Sequence, residues 1–126
     1  MHEELINELE SLRQASGEVE STLSFVENQI SELRIFSETI DKMNKSSDDE
    51  FYAPIGKGVF VKSKKLDKDL LVDAGAGVFV KKTIVETSAL INNQISKLEE
   101  MRSNLNNELG KFAVELERIR KSLASQ

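Results

Sequence analysis

The chain has 126 residues, of which 31% are charged and only 6% are aromatic. A chain of this length forms a single domain, and its small apolar content favours stability gained from partners over a large core of its own. The absence of cysteine excludes disulfide and thiolate sites, and a net charge of -5 argues against nucleic acid as the main partner.

The first residues, MHEELINELE, are acidic and lack the apolar core of a signal peptide. No stretch approaches the roughly eighteen apolar residues that a membrane span needs. We therefore expect a cytoplasmic protein that does not associate with membranes. The single histidine is His2, at the second residue, so we expect no histidine-based catalytic or metal site and no cofactor.

Residues 2–44 are predicted to form one long helix. Two sets of residues recur in it at alternating spacings of four and three, which is the heptad of a coiled coil. The first set is apolar throughout and comprises Leu5, Leu12, Val19, Val26, Leu33 and Ile40. The second set, which serine interrupts, comprises Leu9, Ser16, Leu23, Ile30 and Ser37. Glutamates occupy much of the remaining surface, as a solvated helix requires.

The segment KSSDDE, residues 45–50, is predicted to end this helix, and residues 51–82 are predicted to form two β-hairpins. The motif GKGVFVK (Gly56–Lys62) returns as GAGVFVK (Gly75–Lys81), and each copy follows a short apolar run. The glycines suit tight turns, because these turns need positive φ angles.

A phosphate-binding glycine loop is disfavoured for both copies of the motif. Val61 and Val80 stand where a dinucleotide loop needs its third glycine, and no Gly-Lys-Ser/Thr follows. Both faces of the predicted hairpins are instead partly apolar, so we expect them to complete a β body only in an oligomer. The residues expected in that body are Val59, Phe60, Val61, Leu70, Leu71, Val72, Val78, Phe79 and Val80.

Residues 84–124 are predicted to form a second long helix with the same heptad. One set is unbroken and comprises Ile84, Ile91, Leu98, Leu105, Phe112 and Ile119. The other set comprises Ser88, Ile95, Arg102, Leu109, Leu116 and Leu123. If the chain reverses between the helices, the two sets face each other in antiparallel register, as in the pairs Leu5 with Leu123, Leu23 with Leu105, and Leu33 with Ile95.

Two further features follow from this register. Small Ser16 falls opposite bulky Phe112, which conserves the volume of that layer. Gly17 and Gly110 fall side by side, where each weakens its helix. The distribution of charge agrees with this register, because a basic group on the second helix faces an acidic group on the first. The basic residues are Arg118, Arg120 and Lys121, and the acidic residues are Glu3, Glu4, Glu8 and Glu10.

The predicted fold class is therefore α+β, with a long antiparallel two-helix coiled coil and two hairpins inserted between the helices. The whole chain, residues 1–126, is expected to be one such domain. A β-barrel body is expected to form from the hairpins on oligomerisation. Several apolar residues near the helix bases are expected to pack against the β body, namely Ile35, Phe36, Met43, Val85 and Leu90.

This plan resembles the alpha-type subunit of the prefoldin family. The most specific stretch is FYAPIGKGVFVKSKKLDKDLLVDAGAGVFVKKT, which is similar to the glycine-punctuated region of that family. Ala74 replaces a usual valine, and the ending KKT replaces an acidic-basic one. Two hairpins match the alpha type, because beta-type subunits have one.

The resemblance implies an ATP-independent chaperone subunit that holds unfolded proteins and delivers them to a group II chaperonin. Its expected partners are beta-type prefoldin subunits, in a hexamer of two alpha-type and four beta-type chains. Fraying at the ends of the helices would expose the seam, and several off-seam residues are apolar. The candidate client-binding residues are Leu5, Ile6, Leu9, Leu12, Phe25, Met101, Val114, Leu116, Ile119 and Leu123.

Two alternatives remain open at this point. The seam residues among these candidates are equally consistent with ordinary coiled-coil packing. A coiled-coil scaffold, or an adaptor with one folded partner, would also use such a helix pair. An enzyme is disfavoured, because the carboxylates lie on solvated helices and no nucleophile stands beside a base.

Overall fold

A computed structural model describes residues 2–45 and 49–125. Helix α1 (His2–Lys45) is followed by strands β1 (Glu50–Gly56), β2 (Val59–Lys64), β3 (Leu70–Asp73) and β4 (Phe79–Lys82), and then by helix α2 (Ile84–Ala124). Residues 46–48 of the predicted helix break lie outside the described residues. Two long helices with two hairpins between them confirm the predicted fold class.

The chain divides into two compact units, each treated separately below. The helix-pair unit comprises Met1–Ser31 and Lys97–Gln126. The hairpin unit comprises Glu32–Ser96, which includes both hairpins and the adjoining ends of the helices.

In the helix-pair unit, the start of α1 lies beside the end of α2. Arg118 Nη2 donates a hydrogen bond to Glu8 Oε1 at 2.9 Å, and Leu9 lines one groove together with Leu116 and Leu123. The helices are therefore antiparallel, as the seams predict. The fully buried seam residues of this unit are Val26, Ile30 and Ile119.

The heptad predicts the buried face of both helices. Every position in the four predicted seam sets is buried or half-buried, including Ser16 and Phe112. Polar seam positions such as Arg102 are half-buried as well. The pattern of burial therefore follows heptad position rather than hydrophobicity alone.

The core of the hairpin unit joins the helices to one strand. Ile40, Ile91 and Ile95 are buried together. Leu33, Leu70 and Ile84 are partly buried against this cluster. Through Leu70, strand β3 is packed onto both helices.

Each hairpin turns at an equivalent pair of residues in the repeated motif. Strand β1 pairs antiparallel with β2, and β3 with β4. Lys57 and Gly58 have φ angles of 50° and 77°, and Ala76 and Gly77 have φ angles of 52° and 75°. Two successive positive φ angles are typical of a turn whose twist matches that of the strands, and glycine adopts the second at no steric cost. The repeat therefore encodes turn geometry.

The second hairpin is shorter at its turn than the sequence predicts. Val78 lies outside β4, because its N–H donates to Gly75 O at 3.0 Å while its carbonyl accepts from the Ala74 N–H at 2.8 Å. Asp73 Oδ1 also accepts from the Gly75 N–H at 2.8 Å. These local bonds replace the ladder at Val78, so its predicted place in a strand is wrong.

The connection between the hairpins is fixed at Asp67. Its carboxylate accepts from the Asp69 N–H at 3.2 Å and from Lys81 Nζ at 3.1 Å. These two donors, the backbone one first, lower the pKa of Asp67. The contact ties the connection to strand β4.

Helix α2 begins at a reciprocal pair of cap hydrogen bonds. The Glu86 N–H donates to Thr83 Oγ1, and the Thr83 N–H donates to Glu86 Oε1, both at 3.1 Å. This capping box satisfies two donors that the first helical turn leaves without partners. The backbone bond from Thr83 lowers the pKa of Glu86. The sequence Thr-Ile-Val-Glu carries the signature of the cap, which the sequence analysis missed.

The apolar residues near the helix bases remain largely exposed in a single chain. Ile35 and Val85 lie on helix faces that neither the seam nor a hairpin covers. Phe36 and Leu90 are exposed as well, but they line a groove with Leu71 of β3. Packing of these residues against a β body completed by other subunits stays a prediction.

Replacing Ile40 by alanine is expected to lower the free energy of unfolding by about 2–5 kcal/mol, because it leaves a cavity in a packed core. Ile40 is 2% exposed, whereas Ile35 on the same helix is 65% exposed. The matched control Ile35→Ala should change stability by less than about 0.5 kcal/mol. Urea unfolding followed by circular dichroism measures both. Equal losses would contradict the assigned core.

The Glu86 cap predicts a pH-dependent contribution to stability. A carboxylate whose folded pKa lies below its usual value of 4.5 stabilises the fold above that pH, and the contribution is lost as the pH falls through the folded pKa. Wild type should therefore be more stable than Glu86→Gln at neutral pH, and the difference should shrink on acidification. Urea unfolding at several pH values measures it. The control Glu108→Gln, in the middle of α2, should retain the wild-type pH profile, and a constant difference for Glu86→Gln would disprove the cap.

Candidate functional site

The hairpins leave much of their apolar surface uncovered within one chain. The exposed residues predicted for the oligomer body are Val59, Phe60, Val61, Leu71, Val78, Phe79 and Val80. Leu70 and Val72 are half-buried instead. Strand β3 therefore uses one face within the chain, while β2 and β4 present apolar side chains to solvent on both faces.

The hairpins also leave strand edges open. Within residues 49–82 they form two separate two-stranded sheets, so each strand has one edge without a neighbouring strand. A lone two-stranded hairpin is marginally stable in water, and an open edge pairs readily with another chain. Open edges and apolar faces together form a surface suited to assembly.

Two grooves border the hairpins inside the hairpin unit. One, of about 270 Å³, lies between β3 and the helices; among its lining residues are Phe36, Val72 and Leu90. The other, of about 300 Å³, lies beside β1, where Tyr52 and Phe60 face Thr39. Tyr52 was not among the predicted site residues. The alternation along β1 signals it, because Phe51 and Ala53 are half-buried and Tyr52 between them is exposed.

The seam candidates in the helix-pair unit are packed to different degrees. Ile119 has 0% exposure. Leu5, Leu9, Leu12, Leu116 and Leu123 are half-buried. The structure brings Leu9, Leu116 and Leu123 together along a groove of about 320 Å³, whose rim includes Arg13, Glu117 and Arg120. In this closed conformation Ile119 contacts no solvent.

The off-seam candidates are all exposed. Phe25 is 63% exposed and Met101 is 47% exposed, and Ile6 and Val114 are exposed as well. Val114 lines a shallow depression of about 530 Å³ on α2 together with Arg118. Since packing within the helix pair does not bury these side chains, they are available to a partner.

Phe25 and Met101 lie on the same side of the helix pair. With Leu9 and Leu116 at heptad position a, Glu8 and Met101 fall at position g, and Phe25 and Arg118 fall at position c. The contact between Glu8 and Arg118 shows that the g and c positions of both helices share one side. This side therefore carries an exposed aromatic ring on one helix and an exposed thioether on the other.

The charges at the helix ends pair in two ways. Arg118 bridges Glu8 of α1, at 2.9 Å, and Glu115 of its own helix, at 3.1 Å. Arg120 Nη2 instead binds Glu117 within α2 at 2.6 Å, so the contact across the helices is made by Arg118 and not by Arg120. The spacing of three residues brings Glu117 within reach of Arg120 on the same helix.

These ion pairs shift pKa values in the direction that favours the charged forms. The hydrogen bond from Arg120 lowers the pKa of Glu117. Glu115, followed by Glu8, raises the pKa of Arg118, and Glu117 raises that of Arg120. Glu117, Arg118 and Arg120 therefore stay charged around neutral pH. Each ion pair is exposed and screened by salt.

Two classes of site have no support in the described part of the chain. No group of histidine, cysteine, aspartate and glutamate within residues 2–45 and 49–125 is placed to hold a metal ion. None of the helices described is long and apolar enough to cross a membrane.

A protein-family match covers nearly the whole chain. The sequence model of the prefoldin family, described as "Prefoldin subunit", matches residues 3–126. A chain in the cryo-EM structure of filamentous PFD from Methanocaldococcus jannaschii aligns with 95% of this chain and 95% of its own length, at 17% sequence identity and a TM-score of 0.47. No curated protein sequence matches the chain.

Proposed function

The chain belongs to the prefoldin family, and on this premise we propose that it is an ATP-independent chaperone subunit that holds non-native proteins. The observation that carries the proposal is the exposure of large apolar side chains, Phe25 and Met101, on one side of the helix pair. Packing within the pair does not require them there. A chain that binds unfolded segments needs such side chains in contact with solvent.

The proposed partners in assembly are beta-type prefoldin subunits, in a complex of two alpha-type and four beta-type chains. Two hairpins rather than one support the alpha type for this chain. The exposed faces of β2 and β4 and their open edges support closure of a β-barrel body between subunits. On this proposal residues 1–126 act as one domain.

Holding relies on many weak contacts. Each exposed apolar side chain that a client covers contributes about 25 cal/mol per Å² removed from water. Because several helix pairs tethered to one body act at high effective concentration, weak single contacts hold a chain without a deep pocket. The proposed client surface comprises Leu5, Ile6, Leu9, Leu12, Phe25, Met101, Val114, Leu116, Ile119 and Leu123.

The remaining parts of the proposal rest on the family. Delivery of clients to a group II chaperonin, a cytoplasmic location and the absence of catalysis are what the family resemblance implies.

A dedicated adaptor is the second candidate, and the groove along Leu9, Leu116 and Leu123 favours it. An amphipathic helix from one folded partner would fit an apolar groove of this kind. The two functions differ in aggregation assays, because an adaptor would not hold unrelated denatured proteins.

The double substitution Phe60→Ser with Phe79→Ser is expected to weaken assembly with a beta-type partner by at least about a hundredfold, since each ring loses the free energy of apolar burial. Native mass spectrometry over a concentration series measures the assembly. The control Phe25→Ser with Met101→Ser should assemble as wild type does. Normal assembly of the hairpin variant would contradict the proposed body.

The holding proposal predicts that Phe25→Ser with Met101→Ser raises several-fold the amount of complex needed to suppress aggregation of a denatured protein without nucleotide. Light scattering measures this. The control Leu66→Ser removes an apolar side chain that is 92% exposed in the connection between the hairpins, and it should hold as wild type does. Equal activity of all three proteins would contradict the assigned surface, and a wild-type complex without any holding would favour the adaptor.

A further inference from the structure

Gly17 and Gly110 lie inside long helices with no packing reason to be glycine. Both are exposed, and a Cβ added at either position would meet no atom within 4 Å. Neither glycine has a positive φ angle. Because alanine would fit at both positions, the effect of glycine there is to weaken the helix.

The two glycines also lie at the same height and on the same side of the helix pair. Counting from the contact between Glu8 and Arg118 along both helices brings Gly17 and Gly110 to the same height. Both occupy heptad position b, on the side of the pair that carries the groove of Leu9, Leu116 and Leu123. Ser16 precedes Gly17, and a Gly/Ser pair is a common place for a helix to bend.

Burial of the seam is concentrated on the two sides of this glycine pair. Ile119 is fully buried on the side of the helix ends, and Val26 and Ile30 are fully buried on the other side. Between them, the seam residues from Leu12 to Leu23 on α1 and from Leu105 to Leu116 on α2, which include Ser16 and Phe112, are only half-buried. The glycine pair therefore lies beside a stretch of seam that contains no fully buried residue.

We propose that the tip, defined as residues 2–16 and 111–125, opens as one unit about Gly17 and Gly110 and thereby exposes the seam around Ile119. As a means of presenting that seam to clients, the inference rests on the proposed function. Opening turns a shallow groove into two apolar helix faces. The exposed bridge from Arg118 to Glu8 joins the two helices of the tip, and an exposed ion pair of this kind offers little resistance to opening.

The mechanism accounts for a seam candidate that is inaccessible in the closed conformation. Ile119 has 0% exposure, so it binds a client only if the tip separates. Local opening of this kind requires less free energy than global unfolding. Gly17 and Gly110 lower that free energy further because each weakens its helix, while the packing at Val26 and Ile30 keeps the rest of the pair closed.

The test is amide hydrogen exchange, read by mass spectrometry on the assembled complex, for wild type and for Gly17→Ala with Gly110→Ala. Replacing both glycines is expected to slow exchange throughout the tip by about thirtyfold, from the difference in helix propensity. The control is Ser24→Ala with Ser103→Ala, which strengthens the helices at exposed positions one heptad further from the tip. It should leave exchange in the tip unchanged.

The same variants are then compared for suppression of aggregation. Slower exchange in the tip together with weaker holding supports the inference. Unchanged exchange in the glycine variant overturns the proposed opening of the tip about Gly17 and Gly110. Equal slowing of exchange in the serine control overturns it as well. Slower exchange with undiminished suppression of aggregation overturns the role of tip opening in presenting the seam to clients. If the wild-type complex holds no client, the proposed function fails. Hydrogen exchange still decides in that case whether the tip opens about Gly17 and Gly110.

Discussion

The constraint on which the structure depends is the match between two heptad seams that run in opposite directions along the chain. An amphipathic helix of this kind gains its stability from packing rather than from intrinsic propensity. When α1 and α2 lie antiparallel, their seams cover each other, and Val26, Ile30 and Ile119 become buried.

The hairpins are stable only through what they contact. Within the chain, β3 is held to the helices by Leu70, which packs against Ile40 and Ile91. The remaining apolar side chains of β2 and β4 find no cover, and two-stranded sheets leave edges that another chain can extend. A single subunit thus leaves apolar side chains and strand edges uncovered, which is the property expected of a component in a larger assembly.

The sequence predicts the structural features that depend on heptad spacing and on the repeated glycine motif. The seams follow from heptad spacing, and both turns follow from a repeated motif whose glycines adopt positive φ angles. Prediction from the sequence failed where local hydrogen bonds compete with a pattern, as at Val78 in the turn and at the cap of Thr83 with Glu86. It left the partner of Arg120 open, because a heptad does not tell whether a long side chain reaches its own helix or the neighbouring one. Exposure at Phe25 and Met101 was predictable, since neither is a seam position.

The two kinds of exposed apolar surface have different physical requirements. Assembly of the hairpins needs fixed edges and repeating side chains, because strand pairing is specific in register. Capture of varied unfolded chains needs the reverse, namely side chains that make contact without a defined shape. On the proposed function the chain separates these demands, with defined turns around Gly58 and Gly77 in one unit and half-buried seam residues at the helix ends in the other. A seam packed uniformly to the helix ends would be more stable, but on the proposed function it would leave a client only off-seam side chains such as Phe25 and Met101.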